Sequence, residues 1–215
     1  MKLAIVIVLA LTSSAAARVV MTPTVPRTCG TAESWDKVMK CLERFGTPKL
    51  ERSVDGAKLV GIAYPKFNVP GLYLYRSVGK RWVIAGMFEA IGTFDVRGFS
   101  RPTIAKHTGY RFDVGVVQSE TSDETSSANE VRRKVSVFCD GGTYRCTEVT
   151  TSCERLLDGR ATETFRGKLA IKGDIAKVTG DRSRAGTMCD VPDELQLDFA
   201  QVNRIPAMPI GDPLF

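Results

Sequence analysis

The sequence predicts a mainly β protein, in which one amphipathic helix precedes an antiparallel meander of about nine strands, curved or barrel-like and stapled by disulfides. Three observations support this fold class. Apolar and polar residues alternate over most of the chain beyond residue 57, as in strands with one buried face. Turn-forming pairs such as Asp158-Gly159 separate the alternating runs. Six cysteines follow a segment that has the features of an export signal.

The first 17 residues are predicted to be a secretory signal peptide. A basic start precedes an apolar run over Leu3–Leu11, and the small residues Ala15 and Ala17 predict cleavage before Arg18. The apolar run is about nine residues long, which is too short to cross a bilayer as a helix. We therefore expect a secreted or periplasmic protein with no transmembrane segment in its mature chain, and an N-terminal linker over residues 18–28.

The cysteines are predicted to be structural. They are Cys29, Cys41, Cys139, Cys146, Cys153 and Cys189. An even number in an exported chain indicates disulfides. A zinc site would need closer cysteine pairs and histidine ligands, whereas these spacings are wide and His107 is the single histidine. No redox-active C-x-x-C is present. The sequence therefore predicts neither a metal site nor a cofactor.

One of the disulfide pairs can be predicted from spacing. Cys29 and Cys41 are far from the other four cysteines, so a local pair between them is expected. The other four allow three pairings. If 143–152 forms one straight strand, Cys146 and Cys153 lie roughly 23 Å apart on opposite faces and cannot bond to each other. A turn near residues 147–151 would bring them together, and the sequence leaves this choice open.

The helix is predicted from apolar residues at helical spacing, namely Trp35, Val38, Leu42 and Phe45. Thr31 is the predicted cap, and Gly46 and Pro48 end the helix. We expect the apolar stripe to pack against the sheet.

Nine segments show strand patterns: 57–64, 71–76, 81–89, 92–98, 110–117, 131–139, 143–152, 162–172 and 175–180. The segment over residues 81–89 is apolar on both faces, so it is predicted to be central or covered by the helix. The polar run 118–130 is predicted to be a solvent loop. Together the helix and strands form one predicted domain over residues 29–200, followed by an extended, proline-rich tail over residues 201–215.

The charge balance excludes few partners. The chain carries a net charge of +6, and because the predicted signal contributes one lysine and no acid, the mature chain carries +5. This excess favours solubility and weak attraction to anionic surfaces. The basic clusters are small, the longest being Arg132–Lys134, and are typical of solvated strand faces. Nucleic acid is not indicated as a partner, and the actual partner is not identified by the sequence.

No enzyme class is indicated. A G-x-S-x-G elbow and a phosphate-binding glycine loop are both absent. Any imidazole chemistry would have to use His107, which lies in a predicted strand entry or turn and is typical of a structural histidine. Carboxylates on candidate strands, Glu89, Asp95 and Asp113, could meet across a sheet, but nothing in the sequence marks them as a pair.

The favoured function is therefore non-catalytic binding of a ligand or partner at a sheet face or barrel mouth. The candidate binding residues are the aromatic side chains concentrated between positions 64 and 82: Tyr64, Phe67, Tyr73, Tyr75 and Trp82. The same residues would also suit a packed core. Two alternatives remain open, a secreted hydrolase that uses carboxylates with or without His107, and a structural or interaction protein of the cell envelope.

Overall fold

A computed structural model describes residues 28–63, 71–89, 92–104, 106–121, 128–140, 146–182, 189 and 194–197. The predicted signal peptide and tail lie outside these residues, as does the linker except for residue 28. Tyr64 and Phe67, two of the predicted binding residues, also lie outside them.

The described chain contains one helix, α1 (Trp35–Leu42), and fourteen strands. The strands are β1 (Thr31–Ala32), β2 (Thr47–Val54), β3 (Ala57–Ala63), β4 (Gly71–Val78), β5 (Arg81–Glu89), β6 (Thr93–Ser100), β7 (Thr103–Ile104), β8 (His107–Thr108), β9 (Tyr110–Thr121), β10 (Ala128–Cys139), β11 (Cys146–Leu157), β12 (Arg160–Lys172), β13 (Ile175–Arg182) and β14 (Glu194–Gln196).

The strands form two antiparallel sheets and one small hairpin. Sheet A has the order β1-β5-β4-β3-β2, and sheet B has the order β14-β13-β12-β11-β10-β9-β6. Strands β7 and β8 pair only with each other among the described residues. The sheet architecture includes a sheet that is curled like half of a barrel. The predicted mainly β, antiparallel meander with one helix is confirmed, but the predicted number of nine strands is wrong. The structure adds β1, β2, β7, β8 and β14, which are either very short or at a sheet edge.

The main core lies between the two sheets. Leu59, Leu72 and Leu74 of sheet A pack in one cluster with Phe112 and Val137 of sheet B, and each of these five is fully buried. Burying an aliphatic or aromatic side chain of this kind contributes about 1.5–3 kcal/mol. This packing holds strands β9 and β10, which carry Phe112 and Val137, in place against sheet A.

Gly86 on β5 lies where sheet A packs against strands β10 and β11 of sheet B. A Cβ atom at this position would lie 2.8 Å from Sγ of Cys146 and 2.9 Å from Sγ of Cys139. These two cysteines are directly opposed on β10 and β11 and form a disulfide. The lack of a side chain at Gly86 therefore lets sheet A pack directly against the disulfide.

Helix α1 covers the other face of sheet A, as the sequence predicted for the segment that forms β5. Val38 and Leu42 are fully buried and pack in one cluster with Tyr73, Tyr75 and Ile84. The helix begins differently from the prediction. Ser34, rather than Thr31, is the N-cap, and its hydroxyl accepts from the backbone N–H of Lys37 at 3.3 Å. Thr31 instead pairs with β5 as part of β1.

A further apolar cluster joins strands β10, β11, β12 and β13 of sheet B. Strand β12 pairs with β11 only up to Arg166 and continues beyond it with β13. Phe138 and Val149 share this cluster with Phe165 and Val178. The buried carboxylate of Glu163 also lies here, and its oxygens accept from Arg155 at 3.0 Å and from the backbone N–H of Cys189 at 3.2 Å. A buried charge needs such partners. The hydrogen bond from the backbone N–H of Cys189 also holds this residue beside β12.

All six cysteines are paired. The predicted Cys29–Cys41 bond is confirmed, with a Cα–Cα distance of 5.7 Å. The other two bonds are Cys139–Cys146 and Cys153–Cys189. Cys146 and Cys153 lie on the single long strand β11 and do not bond to each other, which is the outcome expected for a straight strand.

Candidate functional site

An open, positively charged cleft crosses five strands of sheet B. It has a volume of about 620 Å³ and is formed by β6, β9, β10, β11 and β12. The charged residues lining it are Arg97, Arg132, Arg133, Lys134, Arg166, Asp95 and Glu154. Five are basic and two are acidic, and without Arg133, whose side chain projects from the other face of β10, the excess is two positive charges.

The strand register places residues from all five strands in one transverse row. Asp95 on β6 opposes Gly115 on β9, Gly115 opposes Lys134 on β10, Lys134 opposes Ser152 on β11, and Ser152 opposes Arg166 on β12. Directly opposed residues project from the same face of a sheet. We call these five residues the basic row, after its two exposed cations, Lys134 and Arg166. These two residues come from different strands.

The basic row lies on the face of sheet B that points away from sheet A. On β10, Val135 and Val137 pack into the core between the sheets, and side chains alternate along a strand. Lys134 therefore points away from that core, as does Arg132, which opposes Val117 and Glu154 in the neighbouring row. Arg133 alternates to the other side and is half-buried.

A β-bulge brings a further cation to the basic row. The pairing of β6 with β9 shifts between Val96 and Gly98, so Arg97 is the extra residue of the bulge. Bulges commonly redirect a side chain near functional sites. A Cβ atom at Gly115 would lie 3.7 Å from Nη2 of Arg97 and 3.8 Å from its Nε. The guanidinium of Arg97 therefore lies over Gly115, one strand away from Lys134.

A second bulge forms the floor of the cleft on β11. Lys134 opposes Ser152 while Val135 opposes Thr150, so Thr151 is the extra residue. Its hydroxyl donates to the backbone oxygen of Lys134 at 3.2 Å. Ser152 and Thr151 both line the cleft and present hydroxyl groups, which can donate and accept hydrogen bonds.

The cations differ in how far they are neutralised. Nε of Arg97 is 3.1 Å from Asp95, and Arg132 forms an ion pair with Glu130. Within the described ranges, Lys134 and Arg166 form no ion pair, although Asp181 opposes Arg166 on β13. These two positive charges are the ones most available to an anion from solution.

The three predicted aromatic residues that the structure describes lie elsewhere, under and beside helix α1. Tyr73 and Tyr75 have no solvent exposure, and the hydroxyl of Tyr75 donates to the backbone oxygen of Cys29 at 3.0 Å. Trp82 is half-buried, and its ring centroid is 5.2 Å from that of Trp35. The structure thus brings three of the five predicted residues into one cluster, and ligand binding by them stays a prediction.

Two of the carboxylates considered for a hydrolase, Asp95 and Asp113, each form an ion pair with an arginine. Asp95 pairs with Arg97, and Asp113 pairs with Arg111 at 3.0 Å and accepts from the hydroxyl of Ser136 at 2.6 Å. His107 lies in the β7–β8 hairpin, outside the residues that line the cleft. The side chain of Glu89 is not among those described.

No group of three or more histidine, cysteine or acidic residues is arranged to hold a metal ion within the residues that the structure describes. In the same part of the chain, no helix has the length and apolar character needed to span a membrane.

The fold and its bonds define a class of protein. Three disulfides in a mainly β chain are typical of extracellular or periplasmic proteins. Comparison of the chain with protein-family models, curated proteins and solved structures finds no match. Its function is therefore inferred from the geometry of the cleft.

Proposed function

We propose that the protein is exported and binds an anionic ligand in the cleft of sheet B without catalysing a reaction. The observation that carries this proposal is the basic row together with Arg97. Three cations from three strands lie over a floor of small and hydroxyl-bearing residues, and two of them lack ion pairs in the described structure. Their arrangement depends on register and a bulge, so it is a property of the fold rather than of one basic run.

The physical basis is the sum of several moderate charge interactions. Hydrogen bonds to charged groups contribute about 1.5–3 kcal/mol each, and a surface with an excess of positive charge attracts anions and raises their association rates. Arginine adds a planar donor fork that matches carboxylate, sulfate and phosphate groups. The cleft is open, so binding is expected to weaken as salt is added.

Export is supported by the bonding of every cysteine. Disulfides persist in oxidising compartments, and the first 17 residues have the pattern of a signal peptide. Mass spectrometry of the protein recovered from the periplasm or culture medium tests this part of the proposal. We expect a chain that begins at Arg18 and carries three intact disulfides, whereas an uncleaved chain retained in the cytosol would contradict export.

Binding is tested by calorimetric titration of the disulfide-bonded protein with sucrose octasulfate, a compact polyanion. We expect the Lys134→Gln/Arg166→Gln double variant to lose tenfold or more in affinity, since 1.4 kcal/mol corresponds to a factor of ten. The matched control is Lys80→Gln/Arg52→Gln, which removes two positive charges from exposed positions in the β4–β5 turn and on β2.

The control distinguishes a specific binding site at the basic row from nonspecific electrostatic attraction to the protein. A loss of less than twofold in the control supports a site at the basic row. Equal losses in the two double variants would show that net charge alone drives binding. If the wild-type protein does not bind the probe at low ionic strength, the proposed function is wrong.

A further inference from the structure

We propose that the natural ligand of the cleft is a linear acidic polysaccharide that runs across the strands of sheet B. This inference rests on the proposed function and adds the shape and chemical class of the ligand. It depends on how the cations are spaced and on the kinds of side chain that lie between them.

The spacing of the cations favours an extended ligand. The guanidinium of Arg97 lies over Gly115 on β9, Lys134 is on β10, and Arg166 is on β12. Because neighbouring strands are about 4.8 Å apart, Gly115, under the Arg97 guanidinium, lies about 5 Å from the backbone of Lys134, and the backbones of Lys134 and Arg166 lie about 10 Å apart along the sheet. A compact anion can bridge the first pair but not all three cations. A chain with repeated negative groups, lying perpendicular to the strands, can contact each of them.

The groups between the cations suit sugar hydroxyls. Ser152 lies in the basic row between Lys134 and Arg166, and Thr93 and Thr151 also line the cleft. Hydroxyl side chains both donate and accept hydrogen bonds, so they can bind the neutral hydroxyls of a polysaccharide while the cations bind its carboxylate or sulfate groups.

The cleft lacks the feature that single-stranded nucleic acids require. Such ligands bind on aromatic side chains that stack with successive bases. Among the described residues that line the cleft, the only aromatic side chain is Phe94, which is half-buried and packs against the core between the sheets. Acidic sugars need no stacking surface to bind through their charges, so we assign the cleft to them.

The test compares ligands of equal chemistry and different length. Galacturonic acid di- and hexasaccharides carry carboxylates, heparin di- and hexasaccharides add sulfates, and sucrose octasulfate is the compact reference. We expect a hexasaccharide of one series to bind tenfold or more tighter than its disaccharide and tighter than sucrose octasulfate. The series that binds more tightly identifies the acidic group.

One single variant separates length from charge. Arg166 lies two strands from Lys134, so Arg166→Gln should weaken hexasaccharide binding fivefold or more while changing disaccharide binding less than twofold. Lys80→Gln is the control and should change neither affinity by more than twofold.

Three outcomes would overturn the inference. If sucrose octasulfate binds as tightly as the hexasaccharides, the site takes compact anions, and the proposed function stands while this inference fails. If a twelve-residue oligothymidine binds more tightly than either hexasaccharide, the ligand is a nucleic acid. If no probe binds, the proposed function fails with the inference.

Discussion

Trp35 on helix α1 provides a direct measure of how strongly the helix is coupled to sheet A. Its ring meets those of Tyr75 and Trp82 edge-on, with centroids 5.8 Å and 5.2 Å apart. Nζ of Lys58 lies 4.6 Å from the centroid of Trp35 and 2.6 Å from a carboxylate oxygen of Glu51. Trp35→Ala would remove both aromatic contacts and the ring over which the ammonium group of Lys58 lies.

The expected loss of stability follows from these contacts. An edge-on aromatic pair contributes about 0.5–1.5 kcal/mol beyond its buried area, and a cation over an indole ring contributes about 0.5–1 kcal/mol at a partly exposed site. Truncation of a fully buried tryptophan to alanine costs about 3–5 kcal/mol. Since Trp35 is half-buried, we expect a loss of about 3 kcal/mol, at the lower end of that range.

Urea denaturation of the disulfide-bonded protein, followed by tryptophan fluorescence and circular dichroism, tests this value. With a slope of about 2 kcal/mol per molar urea, the midpoint should fall by about 1.5 M. Trp35→Phe is the matched control, because it keeps a ring in the cluster, and it should lose less than half as much. A midpoint within about 0.3 M of the wild type for Trp35→Ala would refute the reasoning and show that the helix contributes little to folding.

Three further predictions concern single positions. His107→Gln should leave binding unchanged and alter stability by no more than about 0.5 kcal/mol, whereas a loss of any measured activity beyond about a hundredfold with an intact melting midpoint would favour the hydrolase alternative. The hydrogen bond from Lys37, followed by its charge, lowers the pKa of Glu33 below its ordinary value of 4.5, so this ion pair stabilises the fold above pH 4.5 and the stabilisation is lost as the pH falls through the lowered pKa. NMR titration should show that Lys37→Ala moves the pKa of Glu33 back towards 4.5, and an unmoved pKa would contradict the pairing. Gly86→Ala should cost about 1–3 kcal/mol because it forces a methyl group against the disulfide sulfurs, while Gly115→Ala, whose nearest atom would lie at 3.7 Å, should have a much smaller effect on the melting midpoint.

The strands that were predicted from sequence are those with a buried face. Each of the nine predicted segments corresponds to one strand among β3–β6 and β9–β13. The alternation of apolar and polar residues identifies these strands in the sequence, because one side of each strand must be apolar to join a core. Strand β2 was missed because it contains Pro48 and several charged residues, and it is held as an edge strand by pairing with β3 alone.

Backbone pairing also extends strands beyond their apolar pattern. The run 118–130 was predicted to be a loop, yet β9 continues to Thr121 and β10 begins at Ala128. Ser119 opposes Glu130 there, and the two side chains are in contact at 3.4 Å. A hydrogen-bonded ladder needs no buried side chains, so polarity alone did not reveal these strand ends.

The cleft could be predicted only in part. The run Arg132–Lys134 is visible in the sequence, but alternation sends Arg133 to the opposite face. Arg97 and Arg166, the other two cations of the proposed site, are more than thirty residues from Lys134 along the chain. Strand pairing places them near Lys134 in the fold. The bulge that directs Arg97 over Gly115 has no sequence signal that we recognised.

The two disulfides of strand β11 explain why the position of the charges should matter more than their number. Cys139–Cys146 joins β10 to β11 at one end of the pair, and Cys153, next to Ser152 in the cleft, is bonded to Cys189. Strand β11, which carries Ser152, therefore has a disulfide on each side of the row. One of the two joins it to β10, which carries Lys134, in addition to the ladder of backbone hydrogen bonds between these strands. A site whose backbone is fixed before binding loses less conformational entropy when a ligand binds. Affinity should therefore depend on whether the negative groups of a ligand match the separation between Lys134 and Arg166, and two variants of equal net charge should differ in affinity according to whether they alter that row.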